Sequence, residues 1–249
     1  MDLSEVRSGA TARHPWELAR ARAIRQILQG HGSFQNVLDY GCGDGFTGRE
    51  VQKAFSISEL VGVDIELSAA ACGRQQVPEG SQELTRDESQ LGNRKFELLL
   101  LCDVIEHVES DRDFMRGIAE RRLKSGAHVL ITVPAYQSLF SEHDRALRHY
   151  RRYSLSSLHE AVRGSGFELL ESGHLFGSLL LPRLLTKARE LLRRGQGNDE
   201  HGIGSWQGGP MKTRLLARAL ELDNDLLLAS RRIGLVIPGL SLWALCKTP

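Results

Sequence analysis

Short apolar runs alternate with segments of helical period along most of the chain. Over 14–30, Trp16, Ala19, Ala23, Ile24, Ile27 and Leu28 fall near a 3.6-residue repeat, and Gly30 and Gly32 end the predicted helix. Asn36–Tyr40 is a short strand that runs into a glycine turn, and Phe46–Phe55 returns to helical period. A second strand is predicted over 60–64, a helix over 67–74, and a weak strand over 82–85 within the polar stretch 75–95. Phe96–Cys102 is strongly apolar. A helix over 111–123, capped by Ser110 or Asp111, leads to a strand over 127–133 that Pro134 closes. A helix over 155–165, stopped by Gly166, leads to a strand over 167–175, and a last strand is predicted over 240–247. The strands read as continuous apolar runs, which fits burial on both faces of a mainly parallel sheet. The alternation breaks at 178–233, where two helices, 179–194 and 211–233, flank a glycine-rich connection, 195–209. The pattern predicts one α/β domain spanning 1–249, with a helical insertion before the last strand.

Composition narrows the function classes. The 249 residues carry 32 Lys+Arg against 31 Asp+Glu, a formal charge of +1, so nothing resembles the basic footprint of a nucleic-acid binder. Cys42, Cys72, Cys102 and Cys246 form no C-x-x-C pair and no zinc spacing, which reads as reduced thiols in a cytoplasmic protein. The first residues are charged without an apolar core, so no cleaved leader is expected, and no apolar run is long enough to span a bilayer.

The informative element is Asp39-x-Gly-x-Gly-x-Gly45 at the end of the first strand. Glycines let backbone turn tightly against a ligand, and the following helix directs its N-terminus and free N–H groups at the same place. A carboxylate at Asp39 suits a cationic group such as an ammonium and would repel a pyrophosphate. The overlapping Gly43-x-Gly-x-x-Gly48 is also a formal dinucleotide pattern, and Asp64, at the next strand end, suits a ribose diol in either cofactor class. A nicotinamide-dependent oxidoreductase is therefore the alternative, along with a non-catalytic, cofactor-binding partner subunit.

Taken together, Val37-Leu-Asp-Tyr-Gly-Cys-Gly-Asp-Gly45, Val63-Asp-Ile65, Leu101-Cys-Asp-Val-Ile-Glu-His-Val108 and the segment 123–134 resemble, in order and spacing, the class I S-adenosylmethionine-dependent methyltransferases of the small-molecule branch. The resemblance implies a Rossmann-like, doubly wound sheet of seven strands, the last antiparallel beside 167–175. It implies a cofactor-binding core over 36–134, with Gly41, Cys42, Gly43 and Gly45 around the methionine moiety and Asp39 supporting it. Asp64 would hold the ribose, Ile65 the adenine face and Asp87 the adenine amino group. Cys102, Asp103 and His107 would line the pocket. The segment His14-x-Trp-x-x-x-Arg20 is similar to a covering helix, 14–30, from which Arg20 would reach the cofactor carboxylate.

Residues 135–153 follow a strand end and form the expected acceptor side. The pattern His143-Asp144 and His149-Tyr-Arg-Arg-Tyr153 is similar to that of a subset of the family. An imidazole is the side chain best suited to proton transfer near neutrality, so His143 and His149 are the candidate bases, and Asp144 would orient one of them. Tyr136, Arg148, Arg152 and Tyr153 are the candidate acceptor contacts, the arginines suiting an anionic group. Glu106 reads as structural. Scattered histidines without H-x-x-x-H imply no metal. The insertion, apolar then basic over 179–194, reads as a lid, a dimer contact or a peripheral membrane contact, the last implying a lipid-like acceptor.

Overall fold

The computed structural model describes residues 13–192, 206 and 208–249. The apolar runs assemble into one mixed sheet of eight strands: β1 (Asn36–Tyr40), β2 (Glu59–Val63), β3 (Gly73–Val77), β4 (Gly80–Thr85), β5 (Phe96–Cys102), β6 (Leu123–Pro134), β7 (Glu168–Leu175) and β8 (Ser241–Lys247). Their order is β3-β4-β2-β1-β5-β6-β8-β7. Strands β4, β2, β1, β5 and β6 run parallel, while β8 inserts antiparallel between β6 and β7. The reversed last strand is as the resemblance implied, and the fold is a Rossmann-like, doubly wound sheet.

Eight strands replace the expected seven because the helix predicted over 67–74 does not form. Ala69–Ala71 makes a single 3-10 turn, and the chain then extends as β3, antiparallel to β4, with Val77 opposite Gly80. Three alanines are too few to sustain a helix without an apolar face to bury. Pro78 and Glu79 make the turn instead. Gly80 is obligatory there, since a Cβ would lie 2.1 Å from the Ser58 carbonyl oxygen.

Both faces of the sheet are buried, which explains the unbroken apolar runs. On β5, Leu98, Leu100 and Cys102 join one core with Ile24, Leu28 and Val51, while Leu99 and Leu101 join the other with Met115, Ile118 and Leu158. The first face is covered by α1 (Pro15–Leu28) and α2 (Phe46–Phe55), the second by α3 (Asp111–Arg122) and α5 (Leu155–Gly164). Between β6 and α5 lies the short α4 (Glu142–Ala146). The insertion supplies α6 (Leu180–Leu192) and α7 (Pro210–Arg232). Most of the glycine-rich connection 195–209, and the last two residues of the helix predicted over 179–194, lie outside the described residues. Helix α7 is tied to α1, with Arg22 donating to Glu221 and Asp225 at 3.0 and 2.8 Å. The glycine turn, Asp64, Asp87 and Asp103 thereby collect at the carboxyl ends of the parallel strands, where open α/β sheets bind ligands.

Candidate active site

The turn between β1 and α2 is built on left-handed glycines: Gly41, Gly43 and Gly45 have φ of +73°, +56° and +78°. The Gly41 and Cys42 N–H groups both donate to the Val63 carbonyl, at 2.7 and 3.2 Å, which locks the turn to the tip of β2. A Cβ at Gly41 would lie 2.5 Å from Val104 Cγ2, so the turn also presses on the end of β5. Two N–H groups at the start of α2 are already engaged: Phe46 donates to Asp44 at 3.1 Å and Gly48 to Asp39 at 3.1 Å. Of the free N–H groups expected there, these two are capped by side-chain carboxylates.

Asp39 is 1% exposed, and burial pushes its carboxyl up to about 6 despite the Gly48 N–H. Asp64 accepts from Gly43 N–H through Oδ2 at 2.7 Å and from Glu66 N–H through Oδ1 at 2.9 Å. Each carboxylate oxygen keeps a further lone pair, so the side chain braces the turn and can still accept from a diol. Beside it Ile65 is 73% exposed, an unburied apolar side chain at a strand tip. Asp87, past the end of β4, is turned to its own backbone and accepts from Ser89 N–H and Oγ at 2.8 and 2.6 Å.

Cys102 and Asp103 end β5. Burial pushes the Cys102 thiol up to about 12 and the Cys42 thiol higher still, so both are neutral thiols rather than nucleophiles. Asp103, at φ +56°, forms an ion pair with Arg20 of α1. The guanidinium is 3% exposed and lies 4.3 Å over the Trp16 ring, and its buried Nε has no partner. Arg20 and Asp103, expected separately at the cofactor, thus meet each other.

The segment 135–153 closes on itself as a flap. Ala135 bridges Tyr153, and Tyr136 N–H donates to the Tyr153 carbonyl at 2.7 Å. Asp144, fully buried on α4, organises the interior. It accepts from Ser141 N–H at 2.9 Å, Arg152 Nε at 2.7 Å and His149 Nδ1 at 3.0 Å. Asp144 therefore orients His149 rather than His143. Tyr150 N–H donates to the Glu106 carbonyl at 2.7 Å and draws the flap onto the turn after β5. As a result the His107 and His149 rings meet edge to face, 4.5 Å between centroids. Packing against the flap partly desolvates the His107 ring, which with the neighbouring imidazole pushes it down to about 4 although one edge stays exposed. His143, half-buried on α4, is also pushed down by burial.

Two of the four expected acceptor contacts point inward. Tyr153 is 2% exposed and donates its hydroxyl to Asp111 at 2.7 Å, and Arg152 neutralises Asp144. Aromatic area and a fixed guanidinium build the flap, so these residues are corrected from substrate contacts to structural ones. Tyr136, half-buried and stacked on His174 at 6.0 Å, and exposed Arg148 remain at the surface. Helix α6 latches onto the flap, with Arg183 donating to the Leu139 carbonyl at 3.3 Å and to Ser141, and Lys187 donating to Phe140.

Local spacing missed one cluster. Ligand atoms of Glu106, His107 and His149 lie within 4.8 Å of one another. Glu106 is 1% exposed with both carboxylate oxygens unpartnered, and burial and Asp103 push its carboxyl well above the usual range. The fold brings His149 to a pair 42 residues upstream, so no short motif signals the cluster, and the expectation of no metal, drawn from spacing alone, had no access to it.

Residues 12–172 match the family described as the methyltransferase domain. The chain belongs to that family. The methyltransferase-domain fold recurs in phosphoethanolamine N-methyltransferase 2 of Haemonchus contortus bound to S-adenosyl-L-methionine, at 18% identity and TM-score 0.55. That alignment covers 92% of this chain and 52% of the other, so this chain spans about half its length. An S-adenosylmethionine-dependent methyltransferase from Mesorhizobium loti aligns at 16% identity and TM-score 0.53, covering 92% and 97%. The N-methyltransferase NodS of Bradyrhizobium japonicum aligns at 13% and 0.52, covering 94% and 97%. No curated protein matches the sequence.

S-adenosylmethionine is the cofactor of this methyltransferase, and the nicotinamide alternative falls. The residues present fit the group: the Cβ-free cradle at Gly41, the bracing carboxylate of Asp64, the bare Ile65 face and the orphaned Arg20 Nε. The raised Asp39 carboxyl gives a pH signature. Below about pH 6 it is neutral in the free protein. A bound ammonium favours the ionised form. Affinity for S-adenosylhomocysteine is therefore expected to rise between about pH 5 and 6.5, by at most about ten-fold per unit, and then level off. Free-protein stability runs oppositely, because Asp39 binds its proton more tightly when folded: its contribution falls as pH rises from 3.8 to about 6. Calorimetric titrations across pH 5–8 check this, and Asp39→Asn should flatten the profile; an unchanged slope in that variant refutes it.

Proposed function

We propose that this methyltransferase moves the cofactor's methyl group to a small-molecule or lipid-linked acceptor bearing an anionic group. The observation that carries the reading is the His107–His149 pair, which the flap sets at the end of β5 next to Asp103. Bound S-adenosylmethionine supplies a methyl group on a positively charged sulfur that leaves as a neutral thioether. The protein's part is then alignment and water exclusion. Asp39, the glycine turn and Asp64 hold the donor; Arg20 above Trp16 closes the roof over it; His149, aimed by Asp144, stands on the acceptor side. Arg148 at the rim supports an anionic acceptor.

The lipid-linked branch of this reading is supported by α6 and α7. Leu181, Leu184 and Leu185 of α6 and Met211, Leu215, Leu222 and Leu226 of α7 are exposed, while α7 turns Thr213, Asn224 and Ser230 inward. Apolar outer faces with intervening Arg and Lys suit the surface of an anionic bilayer. Among the described residues no helix is long and apolar enough to cross one. The free thiols, with Cys42, Cys102 and Cys246 buried, support a reducing, cytoplasmic setting.

A transfer assay with methyl-labelled cofactor tests the reading. One arm offers soluble carboxylic acids and phosphate monoesters, the other anionic vesicles carrying polyprenyl phosphate. His149→Ala is expected to lower turnover by about 100-fold while S-adenosylhomocysteine affinity stays unchanged by calorimetry. Cofactor binding with no labelled product in either arm would instead mark a non-catalytic, cofactor-binding subunit.

A further inference from the structure

We propose that Glu106, His107 and His149 form a binding site for one divalent transition-metal ion of the zinc type, placed so that its open positions face the acceptor. The cluster is built rather than accidental. The ligand atoms lie within 4.8 Å of one another, on a 3-10 turn (Ile105–His107) and on a flap pinned to it by the Tyr150 N–H bond to the Glu106 carbonyl. Glu106 is 1% exposed, yet neither carboxylate oxygen has a hydrogen-bond partner. A buried carboxyl left without partners is costly, and a cation ligated there removes the cost.

The surroundings match those of a ligating imidazole. Asp144 accepts from His149 Nδ1 at 3.0 Å, fixing the tautomer that leaves the lone pair on Nε2. A carboxylate behind a histidine orients the ring and raises its basicity toward a metal. Asp144 is in turn held by Arg152 and by Ser141 N–H, so its orientation is not free. One oxygen and two imidazole donors suit zinc, manganese or iron rather than calcium or magnesium. Three protein ligands leave coordination positions open, as in catalytic zinc sites, at distances of about 2.0–2.2 Å. Donors in such a shell lie about 3–3.5 Å apart, so a small rotation of the solvent-exposed His107 ring closes the shell.

The ion's role rests on the methyltransferase reading above; its binding does not. An open position takes an acceptor oxygen, and a coordinated hydroxyl gives up its proton to water more readily than a free one. Oxygen acceptors, such as phenols, enols or hydroxy acids, are therefore the class this site favours.

The test uses tag-free full-length chain stripped with a chelator and titrated calorimetrically with Zn²⁺, Mn²⁺ and Mg²⁺ separately. Co²⁺ serves as the spectroscopic probe. One equivalent of Zn²⁺ is expected, with Mg²⁺ far weaker, and Co²⁺ should give visible d–d bands. His107→Ala, an exposed position that leaves the core intact, should weaken Zn²⁺ by at least about 100-fold. Asp144→Asn should weaken it by about 10–100-fold, and both variants should keep a cooperative thermal melt. No saturable uptake, or uptake that His107→Ala leaves unchanged, overturns the site. Methyl transfer that proceeds fully in chelator would overturn the ion's role while leaving the methyltransferase reading intact.

Discussion

Asp64→Ala is expected to lower affinity for S-adenosylhomocysteine by roughly 100- to 1,000-fold while the protein remains folded. The side chain has two tasks that fail together. Its Oδ2 accepts from Gly43 N–H at 2.7 Å, so it holds the middle of the left-handed glycine turn against the tip of β2. Its remaining lone pairs are the acceptors available for a ribose diol. A hydrogen bond to a charged group contributes about 1.5–3 kcal/mol. Loss of two such bonds to the ligand, with some loosening of the cradle, gives about 3–4 kcal/mol, or two to three powers of ten. The Gly41 and Cys42 bonds to Val63 still tether the turn, which is why the fold should survive. Calorimetry with a parallel thermal melt separates the two effects. Affinity within three-fold of the parent in a folded variant would remove Asp64 from the ribose site.

The cofactor half of this site was readable from the chain because its chemistry is local. Asp39 to Gly45 is one turn, Asp64 ends the next strand, and β5 announces itself by an unbroken apolar run. Backbone needs that only glycine meets leave a direct mark in a sequence. The acceptor half is different in kind. His107 and His149 are 42 residues apart, and they meet where the Tyr150 N–H bonds the Glu106 carbonyl. Chemistry-bearing letters at 135–153 were visible, but which of them face outward was not. Tyr153 and Arg152 have the composition of a binding surface and are spent on Asp111 and Asp144. The eighth strand was missed for a simpler reason. β3 is an exposed edge with the sequence Gly-Arg-Gln-Gln-Val, so burial wrote no apolar pattern into it. Its signal was the Pro78-Glu79-Gly80 turn, and the alanines before it suggested a helix instead.

Asp144→Ala is expected to be the most destabilising of these substitutions, lowering stability by about 3–5 kcal/mol. The carboxylate is fully buried and its removal strands charged and polar partners. Arg152 has a side chain only 8% exposed and would keep its charge without a counterion. Breaking one side of a buried pair costs about this much, because the remaining charge stays desolvated. For a domain of this size the melting temperature should fall by roughly 6–20 °C. Burial alone would push the Asp144 carboxyl up, but hydrogen bonds from His149 and Arg152 and the Arg152 charge outweigh it and hold it well below the usual range. A depressed folded value means the stabilisation is complete above the unfolded value of 3.8 and is lost only as pH falls further. The gap between parent and variant should therefore be flat from pH 8 down to about 5 and narrow below 4. Urea denaturation at several pH values reads this directly, and Asp144→Asn, which keeps the shape without the charge, should fall in between. A gap that closes near pH 6 instead would place the protonation elsewhere and deny Asp144 its part in orienting His149.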